Sequence, residues 1–297
     1  MYHRSVLLSE SMEALAIQPG GIYVDATFGG GGHSREILKK LREGKLFAFD
    51  QDAEAMGNRI EDPRLTMIHN NFRYLKNFLR LYNVIPVDGI LADLGISSHQ
   101  IDEAGRGFST RLDGALDMRM DQRKKGTAKE VLNDYPEEKL RQVFQLYGEI
   151  KNARKVASAL VTARKEKPLS TTGELVELLK PFAPRGKENK YFAQLFQALR
   201  MEVNQELEAL KEFLEQCVDV LKPGGRLVVI SYHSLEDKLV KNFLRAGNWT
   251  GEIEKDFYGN ALVPFDLVIR KPIVPGEEEI RENPRARSAR LRVTKKK

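Results

Sequence analysis

The stretch Ile22-Tyr23-Val24-Asp25-Ala26-Thr27-Phe28-Gly29-Gly30-Gly31-Gly32-His33-Ser34 runs from an apolar strand-like segment through four consecutive glycines into a helix-forming segment. Because glycine lacks a Cβ atom, such a loop can turn tightly and let a ligand approach the backbone. The helix that follows directs its free N–H groups into the same space. The stretch therefore predicts a strand-to-helix turn that binds a nucleotide-like cofactor.

Similar strand-like runs recur along the chain with helix-like spacers between them. They cover residues 22–28, 45–50, 65–69, 87–93, 226–231 and 265–270. Short apolar runs that alternate with helical stretches are typical of βα units around a parallel sheet. The sequence therefore predicts an α/β fold.

The alternation of strand-like and helix-like runs stops between about Gly105 and Gln205, where only helical patterns are found. These patterns cover residues 128–133, 137–147, 150–165 and 172–179, and a longer one runs from 189 to 220. We therefore predict a discontinuous α/β domain, residues 1–104 and 206–297, with an inserted helical substrate-recognition domain, residues 105–205.

Composition narrows the class of protein. No run of about 18 apolar residues is present, so we expect no membrane span and a cytoplasmic protein. Cys217 is the only cysteine, and the five histidines lack ligand spacing, so no metal site is expected. The net charge is +6, with basic clusters in residues 151–167 and 281–297. Such clusters suit a polyanion such as nucleic acid, although a solvated helix face or a frayed tail would look the same.

Acidic residues after the first two strands distinguish between cofactors. Asp25 disfavours a nearby pyrophosphate because like charges repel, and it suits the sulfonium or amino group of S-adenosylmethionine. The glycines match the dinucleotide pattern only in part, so an NAD-dependent oxidoreductase is the weaker alternative. Asp50 is placed to accept hydrogen bonds from both ribose hydroxyls. Phe72 is either an adenine-stacking ring or a core residue.

A third acidic residue, Asp93, ends the fourth strand-like run. The carboxyl ends of parallel strands form the ligand crevice of open α/β sheets. We therefore expect Asp25, Asp50 and Asp93 to share one rim. Gln100 follows shortly after and is placed to contact the adenine edge or the methionine end of the cofactor.

Seven segments in order along the chain resemble one protein family. They are Thr27-Phe28-Gly29-Gly30-Gly31-Gly32-His33-Ser34, Asp93-Leu94-Gly95-Ile96-Ser97-Ser98, Arg106-Gly107-Phe108-Ser109, Leu116-Asp117-Met118-Arg119-Met120, Phe196-Gln197-Ala198-Leu199-Arg200, Ser231-Tyr232-His233-Ser234-Leu235-Glu236-Asp237 and Asn283-Pro284-Arg285-Ala286-Arg287-Ser288. The family is that of the bacterial 16S ribosomal RNA cytosine-N4 methyltransferases, RsmH, formerly MraW. The resemblance covers nearly the whole chain.

The resemblance implies both a fold and an activity. The fold is the class I S-adenosylmethionine-dependent methyltransferase (Rossmann-like) sheet with an inserted helical subdomain. The activity is methylation of the exocyclic N4 of a cytidine in the decoding region, with 16S ribosomal RNA or the small ribosomal subunit as partner. The family's cofactor contacts fall on Gly31, Gly32, His33, Asp50, Phe72, Asp93 and Gln100.

The catalytic candidates follow the fourth and fifth strands. Asp93 is the first candidate to accept the N4 proton, with cofactor binding as its competing role. Tyr232 is placed to stack on a flipped cytosine, and His233 either relays a proton or is structural. The alternatives are a methyltransferase for another nucleic acid and a non-catalytic ribosome-assembly RNA-binding factor. The sequence leaves the oligomeric state open.

Arginines in and around the insertion are candidates for phosphate contacts, because guanidinium groups pair well with phosphate. They are Arg106, Arg111, Arg119, Arg123 and Arg200. Arg119 has an alternative partner in Asp117 or Asp121. The insertion and the tail, residues 285–297, are therefore the expected RNA surface.

Overall fold

A computed structural model describes residues 5–297 of the chain as two compact units. The first unit comprises residues 5–95 and Leu207–Lys297, and the second comprises Ile96–Glu206. The second unit begins at Ile96 rather than at residue 105, because Ile96 already packs against the hydrophobic core of the helical unit.

The first unit contains one sheet of seven strands. The strands are β1 (Ile22–Asp25), β2 (Lys45–Asp50), β3 (Leu65–His69), β4 (Val87–Asp93), β5 (Leu221–Ser231), β6 (Phe265–Leu267) and β7 (Arg290–Lys296). Their order is β3-β2-β1-β4-β5-β7-β6. β1 to β5 pair in parallel, whereas β7 runs antiparallel to both β5 and β6. The strand order reverses direction between β1 and β4, the position where open α/β sheets bind ligands.

Thirteen α-helices are described within residues 5–297. They are α1 (Leu8–Leu15), α2 (Gly32–Lys40), α3 (Ala53–Met56), α4 (Leu75–Leu81), α5 (Ser98–Asp102), α6 (Ala128–Asp134), α7 (Glu137–Gly148), α8 (Ala153–Glu166), α9 (Thr172–Leu179), α10 (Glu188–Asn204), α11 (Glu206–Val220), α12 (Ser234–Ala246) and α13 (Glu277–Glu282). None of these helices is long and apolar enough to cross a lipid bilayer.

Alternating residues of the sheet fill two hydrophobic clusters, one on each face. On β5, Leu227 and Val229 belong to one cluster and Val228 and Ile230 to the other. This is the two-residue period of a strand that is buried on both sides. The two faces are closed by helices, with Phe213 of α11 in the first cluster and Ile37 of α2 in the second.

The helical unit has its own core. Side chains of α6, α7, α8 and α10 meet in it, among them Phe144, Val156 and Leu199. Asn204 at the end of α10 accepts a hydrogen bond from the Met120 amide at 2.7 Å and donates to the Met118 carbonyl at 2.8 Å. These bonds fix the irregular segment before α6.

The structure corrects three sequence-based expectations. The helix expected from residue 189 to 220 is two helices, because Gln205 adopts a left-handed conformation with φ of 51°. The last predicted strand is shorter and ends at Leu267. The basic tail is neither frayed nor free, because residues 290–296 form β7 inside the sheet.

Candidate active site

Glycine residues shape the loop between β1 and α2. Gly31 is the N-cap of α2 with φ of 74°, a left-handed conformation that side chains rarely adopt. A Cβ atom on Gly32 would come within 2.0 Å of Ser5 Oγ, so a side chain there would require the Ser5 side chain to move. The loop therefore brings its backbone close to the carboxyl ends of β1 and β4.

Three parallel strands end in aspartate at the same rim of the sheet. β1 ends at Asp25, β2 at Asp50 and β4 at Asp93, and β1 lies between the other two strands. Burial raises the pKa of each of these carboxyl groups to about 6. Within residues 5–297 none of the three forms an ion pair with lysine or arginine. This rim therefore favours a positively charged ligand.

Asp25 holds the loop together rather than facing a ligand. Its side chain is fully buried and accepts hydrogen bonds from Ser34 Oγ at 2.6 Å and from the Thr27 amide at 3.1 Å. The expectation that Asp25 contacts the cationic part of the cofactor is therefore wrong for this arrangement, because no surface of the residue is exposed. Its charge still acts on the rim, where it helps to raise the pKa of Asp50 and Asp93.

The Asp50 carboxylate has acceptor positions left for further hydrogen bonds. Its Oδ2 accepts from the Gly29 amide at 2.8 Å and its Oδ1 accepts from the Asp52 amide at 2.9 Å. An ionised carboxylate offers about four acceptor positions, so roughly two remain for the two hydroxyls of a ribose. The donor and acceptor chemistry of this residue fits the cofactor expected from the sequence.

Phe72 lies just after β3, in a short 3₁₀ turn. Its ring is partly exposed and packs edge to face against Phe213, with 5.1 Å between ring centroids. The residue therefore contributes to the core on one side and leaves part of its ring exposed on the other.

Asp93 lies between Tyr232 and His33. Its Oδ1 accepts a hydrogen bond from the Tyr232 hydroxyl at 2.7 Å, and its Oδ2 lies 3.9 Å from His33 Nδ1. Its backbone amide donates to Thr27 Oγ1 at 2.7 Å. The side chain keeps 21% of its surface exposed, so unlike Asp25 it can be reached. The carboxyl group is thus held in one orientation with Oδ2 available.

The buried His33 is the second residue of α2, so it does not cap that helix. Its Nε2 donates to the Val6 carbonyl at 3.1 Å, which leaves Nδ1 directed at Asp93. The distance of 3.9 Å exceeds that of a hydrogen bond. Burial lowers the pKa of His33, so a neutral imidazole faces the Asp93 carboxyl group.

Tyr232 and His233 follow β5 at the same rim. Burial and the nearby charge of Asp93 raise the pKa of Tyr232, so its hydroxyl remains a hydrogen-bond donor. His233 is the N-cap of α12, where its Nδ1 accepts from the Glu236 amide at 3.4 Å. His233 Nε2 makes an ion-pair contact with Glu236 Oε1 at 2.9 Å, and this buried nitrogen forms no hydrogen bond within residues 5–297.

Two further carboxyl groups at the rim were not foreseen. The charges of Glu236 and Glu279 both act on the Tyr232 hydroxyl, and Glu279 also accepts a hydrogen bond from the Leu7 amide at 2.7 Å. Glu236 belongs to the segment after the fifth predicted strand, so the sequence motif already contained it. Glu279 was not part of such a motif, and 272 residues separate it from Leu7 along the chain.

Gln100 lies in the helical unit, in the first turn of α5. Its Oε1 accepts from the Ser97 amide at 3.1 Å, and its own amide donates to Ser97 Oγ at 3.2 Å. This capping box begins the helix. The contact between Gln100 and the cofactor stays a prediction.

Most of the arginines expected to bind phosphate have partners inside the helical unit. Arg106 is buried, with its guanidinium donating to the Arg119 and Met120 carbonyls. Three others form ion pairs, Arg119 with Asp117, Arg123 with Asp121 and Arg200 with Glu206. The pair of Arg119 with Asp117 confirms the alternative raised from the sequence, whereas the partners of Arg106, Arg123 and Arg200 were not predicted.

The fold and the rim together define a class of enzyme. A sheet of this order with an antiparallel seventh strand, a glycine loop after β1 and acidic residues ending β2 and β4 is the arrangement of class I S-adenosylmethionine-dependent methyltransferases. The model of the MraW methylase family matches residues 1–297, and the chain belongs to that family. The expected fold class, enzyme class and cofactor are thereby confirmed.

Relatives that bear a functional name are similar over nearly their whole length. A protein from Cytophaga hutchinsonii is 59% identical over 298 residues, covering all of both chains, and is named ribosomal RNA small subunit methyltransferase H. A protein of the same name from Christiangramia forsetii is 58% identical, covering 99% of this chain and 98% of its own. Among solved structures, a putative methyltransferase from Streptococcus mutans in complex with SAH covers both chains fully, at 13% identity and a TM-score of 0.44.

Proposed function

We propose that this methyltransferase transfers the methyl group of S-adenosylmethionine to the exocyclic N4 of a cytidine in the decoding region of 16S ribosomal RNA, acting in the cytoplasm. The relatives named for small-subunit ribosomal RNA, similar over nearly full length, support the substrate. The observation that carries the chemistry is the oriented Asp93 carboxyl group, held by Tyr232 and open at Oδ2. The partner is accordingly 16S ribosomal RNA or the small ribosomal subunit.

The residues at the rim have donors and acceptors suited to this cofactor. Asp50 would accept hydrogen bonds from the ribose hydroxyls, and the exposed part of Phe72 would stack on adenine. The backbone at Gly31 and Gly32, with His33, would line the methionine end, and Gln100 is the proposed contact from the helical unit. When bound, the cofactor supplies an electrophilic methyl group on a positively charged sulfur, which the acidic rim favours.

Asp93 is the proposed acceptor for the cytosine amino group. The lone pair of N4 is delocalised into the ring, so the amino group must be oriented and one of its protons removed. Oδ2 of Asp93 would accept a hydrogen bond from that group and then its proton as the nitrogen–carbon bond forms and the methyl–sulfur bond breaks, with the electron pair left on a neutral thioether sulfur. A carboxyl pKa near 6 suits this task at neutral pH, because the group is ionised there yet more basic than an ordinary aspartate.

Tyr232 and His233 have proposed roles beside Asp93. Tyr232 positions the carboxylate through its hydroxyl, while its ring is the candidate surface for the flipped base. His233 Nε2 is the candidate to hydrogen-bond the base or receive the proton from Asp93, since it is buried without a hydrogen-bond partner in the described chain.

The test is mass mapping of small-subunit RNA after incubation with the protein and S-adenosylmethionine. Free 16S RNA and assembled subunits, both lacking the modification, are compared, with Asp93→Asn as the control. We expect a single methyl group on N4 of a decoding-region cytidine with the native protein and none with the variant. Methylation of a ring carbon, of another base or of no RNA would refute the proposal, the last in favour of an assembly factor.

A further inference from the structure

The solvent-facing side of α8 has an unusual composition. Seven residues between 151 and 166 are exposed, namely Lys151, Arg154, Lys155, Ser158, Thr162, Lys165 and Glu166. Five of them lie within α8 and fall within about 100° of the helix circumference, given 3.6 residues per turn, and Lys151 stands two residues before the helix begins. The α8 face comprises these five residues, Arg154, Lys155, Ser158, Thr162 and Lys165, together with Lys151. It holds four cations and two hydroxyls, whereas the exposed residues of α7 mix glutamates, glutamines, a lysine and a leucine.

The cations of the α8 face are largely unneutralised. Within residues 5–297, Lys151, Lys155 and Lys165 form no ion pair. Arg154 helps to lower the pKa of Glu138, and Glu149 lines the same cavity as Lys151 and Arg154. This differs from Arg119, Arg123 and Arg200 of the same unit, each of which forms an ion pair with an aspartate or a glutamate. An exposed row of unpaired cations raises the free energy of the isolated protein through mutual repulsion and is relieved by a polyanion.

The order of the side chains along the helix points to a particular polyanion. Three cations lie at its start, Lys165 lies near its end, and the two hydroxyls lie between them. With a rise of 1.5 Å per residue, Lys155 and Lys165 are about 15 Å apart along the axis. The minor groove of double-helical RNA is wide and shallow, has phosphates along both edges and displays 2′-hydroxyls on its floor.

We propose that the α8 face docks across the minor groove of double-helical RNA. Lysine and arginine at the two ends contact phosphates of the two strands, and Ser158 and Thr162 contact 2′-hydroxyls. Thr162 Oγ1 already donates to the Ser158 carbonyl at 2.9 Å, so its free lone pairs remain as acceptors. This proposal rests on the proposed function for the identity of the RNA, because the α8 face would bind a double-helical segment of the substrate.

Direct binding of short nucleic acids to the full-length protein tests the docking. The probes are an RNA duplex of about 16 base pairs, the DNA duplex of the same sequence and one RNA strand alone. The charge variant is Lys151→Gln, Arg154→Gln, Lys155→Gln and Lys165→Gln together. A matched control removes four exposed cations elsewhere in the unit, by Lys180→Gln, Arg185→Gln, Lys187→Gln and Lys190→Gln.

We expect the charge variant to bind the RNA duplex at least about tenfold more weakly, with a salt dependence less steep by about three in the logarithmic slope. The control should change affinity less than about threefold. With small subunits as substrate, the charge variant should raise KM and leave kcat unchanged. Equal losses in the two variants, or no loss in either, would overturn the proposal.

The hydroxyls are tested separately by Ser158→Ala with Thr162→Val. We expect the preference for the RNA duplex over the DNA duplex to fall while the salt slope stays the same. If the native protein binds the DNA duplex or the single strand as tightly as the RNA duplex, the minor-groove geometry is refuted. Binding is measured without methyl transfer. Failure to methylate 16S RNA would therefore refute the proposed function but would not affect the measured binding of the RNA duplex.

Discussion

At the scale of single residues, three aspartates with the same strand position have different roles. Each ends a parallel strand and each has a pKa raised by burial, yet their partners differ. Asp25 is fully buried and accepts hydrogen bonds from Ser34 and Thr27. Asp50 accepts hydrogen bonds from backbone amides, and only Asp93 accepts one from the hydroxyl of a tyrosine. The sequence predicted their common rim from strand periodicity. It could not assign the role of Asp93, because the orienting hydroxyl of Tyr232 comes from a residue 139 positions further along the chain.

Asp93→Asn separates chemistry from cofactor binding. The amide keeps the size of the side chain and can still accept from Tyr232, but it cannot take a proton. We expect kcat to fall by about 10²- to 10⁴-fold, the usual contribution of a general base. Calorimetric affinity for S-adenosylmethionine should stay within about threefold. A large loss of affinity with normal turnover at saturating cofactor would assign Asp93 to binding instead.

Tyr232→Phe is expected to shift a pH profile. The hydroxyl hydrogen bond lowers the pKa of Asp93 against the larger effect of burial, so its removal raises that pKa further above 6. Since only the ionised carboxylate accepts the proton, the rise of kcat/KM with pH should move to higher pH and recover in alkaline buffer. The exposed Tyr258→Phe serves as the control. An unshifted profile would exclude the positioning role.

Asp50→Ala should act on cofactor affinity. It removes the acceptors proposed for the ribose, and hydrogen bonds to charged groups contribute about 1.5–3 kcal/mol. We therefore expect the Kd for S-adenosylmethionine to rise by about 10- to 150-fold, with kcat at saturation little changed. The neighbouring Asp52→Ala, which removes a cap of α3, is the comparison and should leave Kd nearly unaltered. Similar effects of the two changes would show that loop stability is responsible.

At the scale of elements, local patterns predicted some boundaries well. The run 45–50 and the helix 172–179 match β2 and α9, because their burial patterns are regular and their ends carry turn or capping residues. β7 was missed because its sequence, Arg290-Leu291-Arg292-Val293-Thr294-Lys295-Lys296, looks like a charged tail. Its arginines are tolerated since Asp237 of α12 binds both Arg290 and Arg292.

Asp237→Asn tests this attachment of α12 to β7. Asp237 and Arg292 are mostly buried, so the variant leaves Arg292 without its counter-ion. We expect the free energy of unfolding in urea to fall by about 2–3 kcal/mol, somewhat less than for a fully buried pair. The exposed pair of Glu138 and Arg141 gives the matched change, Glu138→Gln, which should leave the free energy of unfolding nearly unchanged because solvent screens the pair. If the two variants lost the same free energy of unfolding, the ion pairs between α12 and β7 would stabilise the fold no more than an exposed pair does.

At the scale of the whole molecule, sequence and structure agree on the parallel sheet and on a separate helical unit. Runs of apolar residues with the period of a strand or a helix carry that information directly. The antiparallel pairing of β7 and the contribution of Glu279 to the rim carry no local signal. Both depend on segments more than 50 residues apart that meet only after the chain has folded.

The acidic rim predicts how global stability depends on pH and cofactor. Raised carboxyl pKa values mean that the folded state holds protons more tightly than the unfolded chain. Their contribution is therefore present below the ordinary aspartate pKa and is lost as pH rises through about 6. A bound cation offsets this loss. We expect saturating S-adenosylmethionine to raise Tm more at about pH 7.5 than at about pH 5.

S-adenosylhomocysteine, whose sulfur is uncharged, is the control ligand for that measurement. Its effect on Tm should depend less on pH, because only its amino group responds to the carboxylates. If both ligands gave the same increase in Tm at the two pH values, the rim charges would have no part in recognising the sulfonium.

The position of β7 also governs how the protein is made. A nascent chain displays the outer edge of β5 to the cell until residues 290–296 have emerged from the ribosome, since that edge has no other partner in the sheet. An unpaired strand edge readily recruits strands from neighbouring chains. A message cut short before Arg290 should therefore yield inclusion bodies rather than a weakened enzyme. Among the described strands, β7 therefore protects the edge of β5 although it lies more than 50 residues further along the chain.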